Sequence, residues 1–127
     1  MNKKKTKIIY WITTLLFLLP TAGSGIPELF FSAPEQVVNS LIKLSYPLYI
    51  TKILGLAKIL GAIAIFYDKK VKLKEWAYAG FTFLFIGAML SHILAGDAVN
   101  APAPFIILII MSVSYFTWNK IITKDII

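Results

Sequence analysis

An all-α integral membrane fold, an up-down bundle of four transmembrane helices, is predicted for this chain by three observations. The first is four long apolar runs in only 127 residues, of which 58% are hydrophobic. The second is lysine placement: all 13 basic residues are Lys, and they cluster between the runs. Lys3, Lys4, Lys5 and Lys7 precede the first run, Lys69, Lys70, Lys72 and Lys74 separate the second from the third, and Lys120 and Lys124 follow the fourth. Positive charge at every second gap is the signature of a chain that crosses a bilayer four times with both ends in the cytoplasm. The third is the mean hydropathy of +0.77, which leaves only short loops and tails once four crossings of about 20 residues are counted. In lipid such runs must be helical, because the backbone has no water to bond to.

A single transmembrane domain over 1–127 follows, with helices at about 8–27, 46–67, 75–96 and 104–120 and a short outer surface helix at about 35–44. The first run carries Tyr10 and Trp11 at its inner edge, where amphipathic rings favour the interface. Its basic start and the small residues Thr21 to Gly25 also fit a cleavable signal peptide, and a retained helix is the preferred reading. Glu28, Glu35 and Lys43 fall in the following gap. There Ser32 suits a helix cap and Pro34 an early helical position. The segment 35–44 is amphipathic through Val38, Leu41 and Ile42, as expected of a helix lying on the membrane. Asp97 is alone in the last gap, where Asn100, Pro102 and Pro104 suit a tight turn.

Composition excludes several classes of function. The net charge of +7 is accounted for by topology and anionic headgroups, so no nucleic-acid partner is implied. Without cysteine there are no disulfides, thiolate catalysis or Cys-bound metals. One His cannot build a multi-His metal site, and no phosphate loop or dinucleotide fingerprint is present.

Five residues are the candidate ligand-binding set: Lys58, Glu75, Tyr78, His92 and Asp97. Lys58 counts to near the bilayer centre, where a lysine costs about 2.5–3.5 kcal/mol on insertion scales. Gly55, Gly61 and Ala62 flank its face and permit close helix approach. It serves either a ligand or proton site or a tie between helices. Glu75, Tyr78, Thr82, Phe85, Met89 and His92 recur at helical spacing and form one stripe. Glu75 is the candidate counter-ion of Lys58, although counting places it roughly 10 Å nearer the inner surface; alternatively it favours the helix start. His92 is a ligand contact, proton carrier or packing group, and Asp97 lines the outer mouth or is a solvated turn residue. Lys52 reads as a snorkelling side chain. Ser112 and Tyr115 share a face and read as interhelical hydrogen-bonding groups, and Gly80, Gly87 and Ser91 as a close-packing seam.

The segments Leu54 to Ala62, Leu73 to Phe81, Ala88 to Asp97 and Ser114 to Trp118 together resemble the DoxX-like family, over nearly the whole chain from Lys52 onward. The resemblance implies a small four-helix protein of the bacterial cytoplasmic membrane. The family takes its name from a subunit of a quinone-linked thiosulfate oxidation system. Its recurring polar positions map to Lys58, Glu75, His92 and Asp97. No catalytic residue, metal or cofactor is evident beyond a quinone that such a cavity could admit. The leading expectation is an accessory or binding protein holding a lipid-like or quinone-like molecule in an intramembrane polar cavity, with Lys58 donating to a carbonyl or anionic headgroup. The alternatives are a quinone-linked oxidoreductase subunit, which needs a redox partner protein to supply electrons, and a structural or stress-associated membrane protein.

Overall fold

A computed structural model describes residues 2–31, 35–47, 49–67 and 69–126. Ser32, Pro34 and Asp68 lie outside them. The described elements are α1 (Lys3–Phe30), α2 (Glu35–Lys43), α3 (Ile50–Phe66), α4 (Val71–Leu94), a 3₁₀ turn (Ala98–Asn100) and α5 (Pro102–Ile126). The four long helices form a ring in which α1 and α4 each touch both α3 and α5. α1 and α4 face each other across the diagonal and meet through side chains, as where the ring of Phe17 packs edge-on to that of Phe81. The end where α1 and α4 begin is called the near end, and the opposite one the far end.

α1 extends beyond the expected run at both ends. Asn2 caps it, accepting from the Lys5 backbone N–H at 2.8 Å, so the lysines join the first turns. At the other end Pro27 does not stop the helix. Pro20 and Pro27 each remove a backbone donor, yet α1 continues through both. Thr21 donates to the Phe17 carbonyl and Ser24 to that of Thr21, as is common for membrane helices. Glu28 therefore sits inside α1 at 2% exposure rather than in the gap that follows it.

The core runs down the diagonal. Tyr10, Phe17 and Leu18 from α1 meet Ala62 and Ile65 of α3, Tyr78, Phe81 and Phe85 of α4, and Met111 and Trp118 of α5. Phe81 fills the space left by Gly61, where an added Cβ would lie 2.7 Å from the ring. The backbones of α1 and α3 approach closely at Gly25 and Gly55. The expected seam on α4 is absent: Gly80 and Gly87 have open space beside them. A small residue on a membrane helix marks close packing only when another helix is opposite, and these two face outward.

The outer surface is a belt of exposed apolar side chains, among them Leu19, Leu60, Ile63, Phe83 and Phe116. Three helical stretches, 3–30, 71–94 and 98–122, are long and apolar enough to cross a membrane. α3, at 17 residues, is shorter.

Candidate functional site

The polar groups expected to share one cavity occupy three places. Glu75 and His92 are 17 positions apart on one helix, which at 1.5 Å per residue is about 26 Å. No small ligand reaches both.

The first place is a groove between α4 and α5 in the near half, with a volume of about 310 Å³. Helical spacing brings Glu75, Tyr78 and Thr82 to its α4 wall, and Ser112, Tyr115 and Phe116 to its α5 wall. The Tyr115 hydroxyl donates to Glu75 Oε2 at 2.9 Å. Glu75 is thus paired across the groove with Tyr115, and the expected contact with Lys58 is not made. Ser112 lines the groove but donates to the carbonyl of Leu108 on its own helix, so only Tyr115 makes the expected interhelical bond. Tyr78 contributes its ring. Its hydroxyl bonds Ser114 at 2.7 Å, and Ser114 also bonds Thr14 of α1 at 2.6 Å. Ser114 is fully buried, so one small hydroxyl joins three helices.

The second place is the α1–α3 seam. Lys58 donates to Glu28 Oε1 at 2.9 Å, Glu28 Oε2 at 3.2 Å and Ser24 Oγ at 3.1 Å. The two partners of Lys58 come from the last two turns of α1. Lys58 is itself the middle residue of α3, as counting along its run predicts. Lys52, one turn and a half earlier, donates to the carbonyls of Leu29 and Phe31. It closes the C-terminal end of α1, where a cation suits the helix dipole. A Ser24–Glu28 pair at i, i+4 around Gly25 was the sequence signal for this seam. Reading Pro27 as a helix end hid it.

The third place is the far end. Gly96, at φ +78°, ends α4 with a bond from its N–H to the Ile93 carbonyl, and Asp97 donates its N–H to the His92 carbonyl at 2.7 Å. This is the Schellman closure, and it folds Asp97 back under His92. Asp97 Oδ2 lies 2.9 Å from His92 Nδ1, while Lys43 donates to Oδ1 at 2.7 Å and Asn100 to both oxygens. Tyr46 bonds Ser91 beside them. The end of α2 is therefore tied to the end of α4. Asp97 is a buried, fully engaged carboxylate rather than a solvated turn residue.

The hydrogen bonds from Lys43 and Asn100, then that of His92, hold the Asp97 carboxyl below its ordinary 3.8, at about 2. A depressed folded-state pKa means that the tie is complete above about pH 4 and is lost as pH falls through 2. Acid titration of spin labels on α2 and the 3₁₀ turn should show them separating between those values. Asp97→Asn should show separation already at neutral pH, and labels that stay together in that variant would refute the tie.

Lys74, expected to be one of the topology lysines, is 1% exposed. It donates to the Tyr10 hydroxyl at 2.6 Å, and its ammonium lies 4.9 Å from the ring centroids of both Tyr10 and Trp118. Such cation–π placement stabilises a desolvated ammonium. The rings come from α1 and α5, so nothing local to the lysine cluster set Lys74 apart.

A family model described as the DoxX-like family matches residues 12–114. The chain belongs to the DoxX-like family. The match begins well before Lys52, where the resemblance was first legible, and covers α1 from Ile12 onward, Glu28, Lys58, the Glu75–His92 stripe and Asp97. It ends before Tyr115 and Trp118, so those two lie outside the matched region. No curated protein and no solved structure shows significant similarity to the chain. Family membership and the three apolar helices together point to the membrane as its location.

Proposed function

We propose that this DoxX-like protein is a bacterial inner-membrane protein that binds a small lipid-like molecule in the α4–α5 groove, acting as a binding or accessory component. The observation that carries the reading is the Glu75–Tyr115 pair set in the wall of a 310 Å³ groove. Ligand sites are typically apolar concavities with a few convergent polar groups, and this one combines both. Lys58 has no part in it, because its ammonium is engaged by Glu28 and Ser24.

In this reading α3 is a fourth crossing. Its 17 residues rise about 25 Å, a little less than the roughly 30 Å hydrocarbon core. Exposed Tyr49 and Tyr67 flank it, which is the placement that anchors a short span at two interfaces. Lys3, Lys4, Lys5, Lys7, Lys69, Lys70 and Lys72 gather at the near end, all exposed but for the fully surrounded Lys74 beside them. Their charge supports a cytoplasmic near end, with both chain termini on that side.

The test is lipid extraction and mass spectrometry of the purified protein alongside Ala79→Trp. Ala79 is exposed and lines the groove, so the indole fills the site without displacing the core. A molecule bound to the wild type and absent from the variant supports the reading. Identical extracts from the two proteins overturn it.

A further inference from the structure

The hydrogen-bond inventory of the groove says which head group it takes. Five of its lining side chains carry oxygen, and each hydroxyl among them is already hydrogen-bonded. Thr82 donates to the Tyr78 carbonyl at 2.7 Å, Ser112 to the Leu108 carbonyl at 2.8 Å, and Tyr115 to Glu75 at 2.9 Å. The Tyr78 hydroxyl is bound to Ser114, which does not line the groove. Helical backbone N–H groups are used within the helices. What remains facing the groove is lone pairs: the Glu75 carboxylate and the oxygens of Thr82, Ser112 and Tyr115. Aromatic faces of Tyr78, Phe83, Tyr115 and Phe116 complete the walls.

A surface of acceptors and π-faces is complementary to a donor, and best to a cationic one. Quinone carbonyls and carboxylate or phosphate heads only accept, and would meet lone pair against lone pair. The residues present therefore do not fit an oxidised quinone. Resting on the reading that the α4–α5 groove is a ligand site, we infer that it selects amphipathic molecules with a hydrogen-bond-donating head, foremost a protonated amine on an apolar tail. The ammonium would complete the Glu75 carboxylate and lie over the rings. Phe83 stands on the rim shared with an apolar groove of about 530 Å³ between α3 and α4, which gives the tail a path along the helix surface.

Three probes of equal shape separate the outcomes: 4-phenylbutylamine, 4-phenylbutanol and 4-phenylbutyrate, with duroquinone as a carbonyl-only ring. Binding is measured by titration calorimetry of the full chain in phosphatidylcholine nanodiscs, with empty discs and the groove-filled Ala79→Trp protein subtracted. The amine should bind about tenfold more tightly than the alcohol, as charge-assisted bonds predict, and butyrate and duroquinone should show no groove-dependent binding. Glu75→Gln should abolish the preference for the amine, so that amine and alcohol bind that variant about equally. Butyrate or duroquinone binding as well as the amine overturns the inference while leaving the groove a ligand site. Absence of binding by all four probes also overturns it, and if a groove-dependent lipid still co-purifies, the proposed function survives that result. The comparison among probes uses the wild-type protein, so it does not depend on any variant folding.

Discussion

Lys58→Met should lower the stability of the bundle by about 3–5 kcal/mol, the typical result of removing one partner of a buried ion pair. The side chain of Glu28 is only 3% exposed and that of Lys58 15%. Removing the ammonium leaves a carboxylate between α1 and α3 with Ser24 as its only polar neighbour of the original cluster. Losing the charge attraction is the smaller part of the effect, and stranding Glu28 is the larger. The double variant Lys58→Met with Glu28→Met should therefore recover most of the loss, since replacing both ions by apolar groups is often neutral. Reversible unfolding in mixed micelles measures both. A single variant as stable as the wild type, or a double variant no better than the single one, would contradict a pairwise tie. Lipid extraction adds a further discrimination. A Lys58→Met protein that remains folded should keep any groove ligand, because the pair and the groove lie on different helix seams.

What could be read along the chain depends on whether a feature is local or tertiary. Glu75, Tyr78 and Thr82 fall on one wall because helical period alone decides it, and the same rule brought Ser112 and Tyr115 together on α5. The small-residue face of α3 was legible for the same reason: Gly55 and Ala62 do meet neighbouring helices. Period could not say which helix stands opposite. It gave Lys58 the right need, a buried partner, and the wrong one, because Glu28 was counted as lying outside the bilayer after Pro27. Gly80 and Gly87 have the same spacing as a packing seam and face open space instead. Lys74 shows the limit most clearly. It belongs to a cluster whose sign and position fit topology, and Tyr10 and Trp118, 64 and 44 positions away in sequence, hold it in the core.

The far-end cluster has a different origin. His92 and Asp97 were both singled out, and their contact follows from local chain geometry once Gly96 turns left-handed. The link to Lys43 crosses 54 positions and turns two unremarkable helix ends into a fastening. Tyr46 joins it because Ser45, at φ +64°, closes α2 in the same left-handed way that Gly96 closes α4. The groove and this fastening stand at opposite ends of α4, so a substitution at one should add to a substitution at the other without coupling.

Gly55→Ala should destabilise the protein, while the identical change at Gly87 should not. A Cβ on Gly55 would lie 2.8 Å from the Gly25 carbonyl oxygen, 2.8 Å from the Leu29 backbone nitrogen and 3.0 Å from Glu28 Cβ. Two of those three atoms are backbone and cannot rotate away, so α1 and α3 must separate. Overpacking of this kind costs about 1–3 kcal/mol. Separation also stretches the Lys58–Glu28 bonds, which sit within a turn of the contact, and the loss should exceed that of a simple clash. Gly87 has nothing within 4 Å and lies mid-helix, where Ala is favoured over Gly by up to about 1 kcal/mol. The two variants make the same chemical change in the same kind of helix and differ only in what stands opposite. Unfolding midpoints measured together should move in opposite directions. Equal stability of the two would mean that the helices do not approach at Gly25 and Gly55, and the Lys58–Glu28 tie, which depends on that approach, would go with it.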